Sequence, residues 1–106
     1  MPNFELSYLA DADIDAIIHY TLEKWDADQA VRYLGFLDRH FEAIGTGEAT
    51  TKVFLQHRPD LLISRCQKHV IFHHARAGER PLIIAVFHRS MELMTRLKER
   101  LDETGL

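Results

Sequence analysis

Apolar and polar residues alternate at the start of the chain. Phe4-Glu5-Leu6-Ser7-Tyr8 has the period of two expected of a strand with one buried face. The period then lengthens. Ile14, Ile17, Ile18, Leu22 and Trp25 recur at helical spacing, which predicts a first helix over about residues 11–25, with Asp11 or Asp13 as N-cap. A carboxylate there accepts from the free N–H groups of the first turn and favours the positive end of the helix. Asp26 or Asp28 can cap a second helix, whose apolar positions Ala30, Leu34, Leu37, Phe41 and Ile44 fall four, three, four and three apart. That stripe is the seam of a helix packed on a helix. The connection around Asp26 is short, so the two helices are expected to form an antiparallel hairpin. Gly45 and Gly47 are expected to end the second helix, because glycine takes the left-handed C-cap conformation at little steric cost.

Residues 45–60 are the least regular stretch, and Arg58-Pro59-Asp60 punctuates it as a turn. Three strands are predicted next, over 61–67, 68–75 and 81–88, the last two joined by the hairpin loop Ala77-Gly78-Glu79-Arg80. The final strand is apolar on both faces through Leu82-Ile83-Ile84-Ala85-Val86-Phe87, so it belongs in the middle of the sheet with both sides covered. Residues 91–103 return to helical spacing, with Met94, Leu97 and Leu101 on one side. The order β-α-α-β-β-β-α predicts an α+β domain over residues 1–106, an antiparallel sheet with an α-helical hairpin packed on one face. No repeat, low-complexity tract or linker divides it.

Composition narrows the class. Hydrophobic residues make up 46% and charged residues 27%, which suits a soluble globular protein and disfavours disorder. No apolar run approaches the ~20 residues of a membrane span, so no membrane association is expected. The first fifteen residues lack the basic and long apolar regions of a secretory signal. The one cysteine, Cys66, has no internal disulfide partner, which fits a reducing cytoplasmic location. The net charge of −3 hides a segregation. Residues 1–50 carry Lys24, Arg32 and Arg39 against ten acidic groups, whereas residues 51–106 carry ten basic groups against six acidic ones. Five of the seven histidines also lie in the second half, the half suited to an anionic partner.

Candidate chemistry is sparse. His69 and His73 share a strand face, but four residues of strand span ~13 Å. Zinc–nitrogen bonds are only ~2.0–2.1 Å, so the two cannot ligate one zinc. His74 and His88 could meet across neighbouring strands, with no third ligand evident, and no metal is expected. Cys66, within a strand, reads as a small core residue. No serine-nucleophile elbow, phosphate loop, dinucleotide fingerprint or paired CxxC is present. What remains is basic: Arg65 and His69 near the meeting of two strands, with His73, Arg76, His88 and Arg89 on or beside the same sheet. Two readings stay open. Arg to neutralise a phosphate with His to move protons would suit metal-free phosphodiester cleavage. The same residues could instead edge a sheet that binds another protein.

Several segments resemble the ParE/RelE toxin superfamily, and its ParE, plasmid-stabilisation branch in particular. Leu6 to Ile17 is similar to that branch's opening strand and first helix. Tyr20-Thr21 with Trp25, Gln29-Ala30 and Tyr33 resemble its Tyr…Trp-Gly…Gln-Ala…Tyr run, with Asp26 in place of the usual glycine. Arg58-Pro59-Asp60-Leu61 resembles its Arg-Pro-Gly-Leu turn. His69-Val70-Ile71-Phe72-His73 resembles a His-x-Ile-Phe-Tyr strand. Val86 to Glu92 resembles the closing Val-Leu-His-x-Arg-Met-Asp, with Ser90 at the usual arginine and Arg89 one place earlier. The matches run from about residue 4 to 92.

The resemblance implies the toxin of a type II toxin–antitoxin module, neutralised by a ParD-like antitoxin that folds onto it, and it implies DNA gyrase as the target. RelE-like toxins instead cut messenger RNA on the ribosome. That chemistry calls for a strongly basic surface, whereas this chain has four lysines and a net negative charge. Inhibition by binding, without bond cleavage, cofactor or direct sequence-specific nucleic-acid binding, is therefore expected. Arginines that pair with carboxylates or phosphates, beside adaptable methionines, make His88, Arg89, Met91, Arg96 and Arg100 the expected target surface. Arg65, His69, His73 and Arg76 are the expected antitoxin-binding residues. On the RelE-like alternative Arg65, His69 and His88 would form the acid–base set. A third reading, a toxin fold with altered or lost toxicity, follows from Asp26, Asp60 and Ser90.

Overall fold

A computed structural model describes residues 2–106. The elements run β1 (Glu5–Leu6), α1 (Tyr8–Lys24), α2 (Ala27–Thr46), β2 (Lys52–Val53), β3 (Leu61–Cys66), β4 (His69–His74), β5 (Leu82–His88) and α3 (Leu93–Thr104).

The first helix begins earlier than expected. Ser7 caps it, its Oγ accepting from the Ala10 N–H at 3.1 Å. Tyr8, the last residue of the alternating pattern, and Leu9 are therefore already helical, and Asp11 sits in the first turn rather than at the cap. Leu22 and Trp25 face solvent at 47% and 66% exposure, and the helix buries Ala10, Ile14 and Thr21. Asp26 caps α2 through the Gln29 N–H at 2.8 Å. That helix ends at Gly47 alone, whose φ of 81° is the left-handed conformation glycine tolerates. Gly45 stays inside α2, where a Cβ would lie 2.6 Å from the Asn3 carbonyl oxygen, so the close approach of the N-terminal segment requires it.

The sheet order is β1-β5-β4-β3-β2. β3, β4 and β5 pair antiparallel as expected, and the unexpected β2 adds antiparallel to β3, but β1 lies parallel to β5, with Glu5 opposite Leu82 and Leu6 opposite Ile83. Parallel neighbours need a long crossover, which the chain between β1 and β5 supplies. β2 lies within the stretch that carries no strand pattern.

Both faces of the sheet are covered. On one, the α1–α2 hairpin buries Ile14, Leu37, Phe41 and Ile44 against Ile71, Ile83 and Val86. On the other, Leu97 of α3 packs with Leu61, Val70, Phe72, Ile84 and Phe87. A register shift beside Phe72 and His73 lets Ile84 and Ala85 face α3 together, a β-bulge that interrupts strict alternation.

The outer edge of β5 outruns the two-residue β1. Ser7 N–H still bonds the Ile83 carbonyl at 2.9 Å. Beyond it, the Val86 N–H donates to Asp13 Oδ2 at 2.9 Å, and the Ile84 carbonyl accepts from Arg100 Nη1 at 2.8 Å. The two side chains join each other at 2.8 and 2.9 Å, and the Arg100 guanidinium lies 5.0 Å from the Phe87 ring centre. Groups that would form an open strand edge are thus satisfied by an ion pair.

Candidate functional site

At the β3–β4 turn, Gln67 takes φ 55° and carries the chain tightly from Cys66 to His69. His69 opens β4 opposite His88, which closes β5. Opposed residues of an antiparallel pair share a face, so both rings lie on the α2 side. They meet edge to face with centroids 5.3 Å apart, and Tyr33 of α2 packs on His69 in the same way at 5.4 Å. Tyr33 Oη accepts from the Lys68 N–H at 3.2 Å, which leaves its own proton for His69 Nδ1 at 2.5 Å. Burial, reinforced by the neighbouring His88, pushes the His69 pKa down to about 4. His69 is accordingly neutral near pH 7, with its proton on Nε2.

His88 sits at the surface of this stack. Its Nδ1 accepts from the Ser90 N–H at 3.1 Å and lies 2.7 Å from the Ser90 hydroxyl. The Arg89 N–H bonds the Lys68 carbonyl at 2.9 Å, and the Met91 N–H bonds the His88 carbonyl at 3.0 Å. The turn after β5 is therefore held from both sides, and it presents Arg89 and Met91 to solvent. Arg96 projects from the exposed side of α3, its nearest carboxylate being Glu99 at 3.8 Å.

Arg100 does not belong to that surface. It is 9% exposed and committed to Asp13 and Ile84. The apolar side of α3 turns it inward, where the two Asp13 oxygens and the Ile84 carbonyl of the unpaired β5 edge give its fork three acceptors.

The four residues expected to meet an antitoxin do not form one surface. Arg65 is exposed on the α3 side, opposite Val70. His69 and His73 are 9% and 5% exposed, under the helical hairpin. Arg76 follows the far end of β4, where it bonds Glu5 at 2.7 Å and the Arg80 carbonyl. The acid–base set of Arg65, His69 and His88 is likewise divided, since alternation along β3 turns Arg65 to the opposite face from the two histidines. His74 lies opposite Leu82, not His88, and its Nε2 bonds Asp60 at 3.0 Å.

Tyr33 and Ser90 carry the geometry here, yet spacing gave neither a role. Tyr33 stands out in the sequence only within the family-like run, and Ser90 only as a departure from it. His73 is a second buried histidine. Burial, with His40 and His74 nearby, pushes its pKa down to about 4, and its Nδ1 has no hydrogen-bond partner among the described residues.

The fold and this paired-helix-on-sheet arrangement are those of an α+β toxin of the RelE/ParE-like class. The family described as ParE toxin of type II toxin-antitoxin system, parDE, matches residues 4–93. Toxin ParE of Escherichia coli is 39% identical over 101 residues, which span 95% of this chain and 98% of that protein. Toxin ParE1 of Caulobacter vibrioides is 33% identical over 103 residues, 92% of this chain and 99% of that protein. The chain belongs to the ParE toxin family of type II toxin–antitoxin systems. Among the described residues, no helix is long and apolar enough to cross a membrane.

Proposed function

We propose that the chain acts by binding DNA gyrase, without cutting a bond itself, and that a ParD-like antitoxin neutralises it. The observation that carries this reading is the braced turn from His88 to Met91. It places an exposed arginine and an exposed methionine on a fixed backbone, with Arg96 on the neighbouring helix. Preorganised side chains lose little entropy on binding, and arginine with methionine suits a protein surface that offers carboxylates and apolar hollows. Arg65 and Arg76 remain for contacts with the antitoxin, Arg65 through its free guanidinium and Arg76 only in exchange for Glu5. His69 and His73 act from beneath, by shaping the surface rather than touching a partner.

The test combines purified chain with gyrase and with RNA. Loss of supercoiling with RNA left intact is expected, together with relief by Arg89→Ala and Arg96→Ala. Cleavage of RNA that depends on His88 would replace this reading with the RelE-like one. A ParD-like protein encoded beside the chain is expected to co-purify with it and to restore supercoiling.

A further inference from the structure

The edge of the sheet far from β1 is only partly covered. β2 pairs Lys52 with Ile63 and Val53 with Leu62, and there its pairing ends. Ser64 and Arg65 lie past that pairing. Where the chain from α2 approaches β2, it leaves a notch of about 490 Å³ against β3.

Its lining is one-sided in charge. Lys52 and Arg65 flank it, both exposed, and neither forms an ion pair among the described residues. Most other arginines of the second half are already paired: Arg58 with Asp60, Arg76 and Arg80 with Glu5, and Arg100 with Asp13. No carboxylate lines the notch. In a chain of net charge −3, two unpaired cations around a cleft free of acids form a local exception.

The polar groups of the floor are fixed. Ser64 is 5% exposed, and its hydroxyl is bonded to His40 Nε2 at 2.8 Å. Burial lowers the His40 pKa, which favours the neutral ring. Thr50 adds a second hydroxyl, while Ile63 and Val70 supply an apolar wall.

We propose that this notch binds a small phosphate monoester carried on an apolar or planar body, of which a nucleoside monophosphate is the simplest form. A dianionic phosphate matches two cations, one of them an arginine fork that can bond two phosphate oxygens at once. The Thr50 hydroxyl is a donor for a remaining oxygen, whereas the Ser64 hydroxyl, turned to the α2 face of β3 and engaged by His40, only closes the floor. Phosphate alone would leave most of the space empty, since the volume lies in the range of small-molecule sites, and the apolar wall accepts the rest of the ligand. The site is separate from the turn at His88, and the inference does not depend on how the toxin acts.

The probes are AMP, adenosine and inorganic phosphate, titrated into the full chain at low salt and followed by amide chemical shifts. AMP is expected to saturate with a Kd below about 1 mM. Adenosine and inorganic phosphate are each expected to bind at least about tenfold more weakly, since each lacks one half of the contacts. Lys52→Ala and Arg65→Ala are each expected to weaken AMP about tenfold while leaving the melting temperature in place. Adenosine binding as tightly as AMP would overturn the proposal. So would no saturation by AMP, or shifts mapping away from Thr50, Lys52, Ser64 and Arg65. A single-stranded RNA that binds the same residues far more tightly than AMP would also overturn it, making the notch part of a nucleic-acid surface.

Discussion

Asp13, in the first helix, and Arg100, in the last, meet at 2.8 and 2.9 Å beside the uncovered stretch of β5, and each also bonds that strand's backbone. The pair ties together elements that lie on opposite faces of the sheet. Removing one partner leaves a largely buried charge uncompensated and an edge group unsatisfied. Arg100→Ala is expected to destabilise the fold by about 3–5 kcal/mol. A double change of Asp13→Leu with Arg100→Met is expected to cost less than the sum of Asp13→Leu and Arg100→Met alone. Urea unfolding of the three variants checks this, and additive costs would mean the two side chains act independently.

The two buried histidines make stability depend on pH in a defined window. Each folded pKa, about 4, lies below the ordinary 6.5. Between those values the unfolded chain binds more protons than the folded one, so stability is whole above about pH 6.5 and falls as the pH drops toward 4. The loss approaches about 3 kcal/mol per histidine at the lower limit. Unfolding midpoints measured from pH 7.5 to 5 are expected to fall less steeply for His73→Gln than for the parent chain.

Asp26, where the family-like pattern has glycine, is expected to act as a cap and nothing more. Asp26→Ala should cost about 1 kcal/mol, and Asp26→Gly only a few tenths, because glycine also suits an N-cap. Thermal melts of the two variants separate these values, and equal losses would point to a further role for the carboxylate.

The hairpin seam rests on Leu37, which is fully buried between α2 and the sheet. Leu37→Ala is expected to lower stability by about 2–5 kcal/mol, the transfer cost plus the cavity. An unchanged denaturant midpoint would show that the seam closes without it.

Arg89→Ala and Arg96→Ala are expected to change stability by less than about 0.5 kcal/mol, since both side chains are exposed. If gyrase inhibition persists in both, the target surface lies elsewhere on the chain.

Much of this architecture is legible in residue pattern, because apolar spacing reports which side of an element faces a core. The seam of α2 and the doubly covered β5 follow from it directly. The start of α1 was not legible, because Phe4 to Tyr8 alternates by chance across a strand-to-helix junction where Ser7 supplies a local cap. Arg100 was misplaced for a different reason. A charged residue on an amphipathic helix reads as solvent-facing, and only the third dimension shows that a strand edge nearby lacks partners. Contacts between Tyr33, His69 and His88 depend on elements far apart in sequence, so spacing could name the residues but not join them.

The bulge at Ile84 and Ala85 makes the length of β5 a matter of parity. The extra residue is what lets Leu82 and Phe87 point toward α3 while His88 still lies on the side of Tyr33. Loss of a single residue there would turn the rest of the strand over, carrying His88 to the far side and Phe87 out of its core. Point substitutions that keep size and polarity can be absorbed along β5. A one-residue deletion or insertion cannot, so drift in this strand is restricted more by count than by identity.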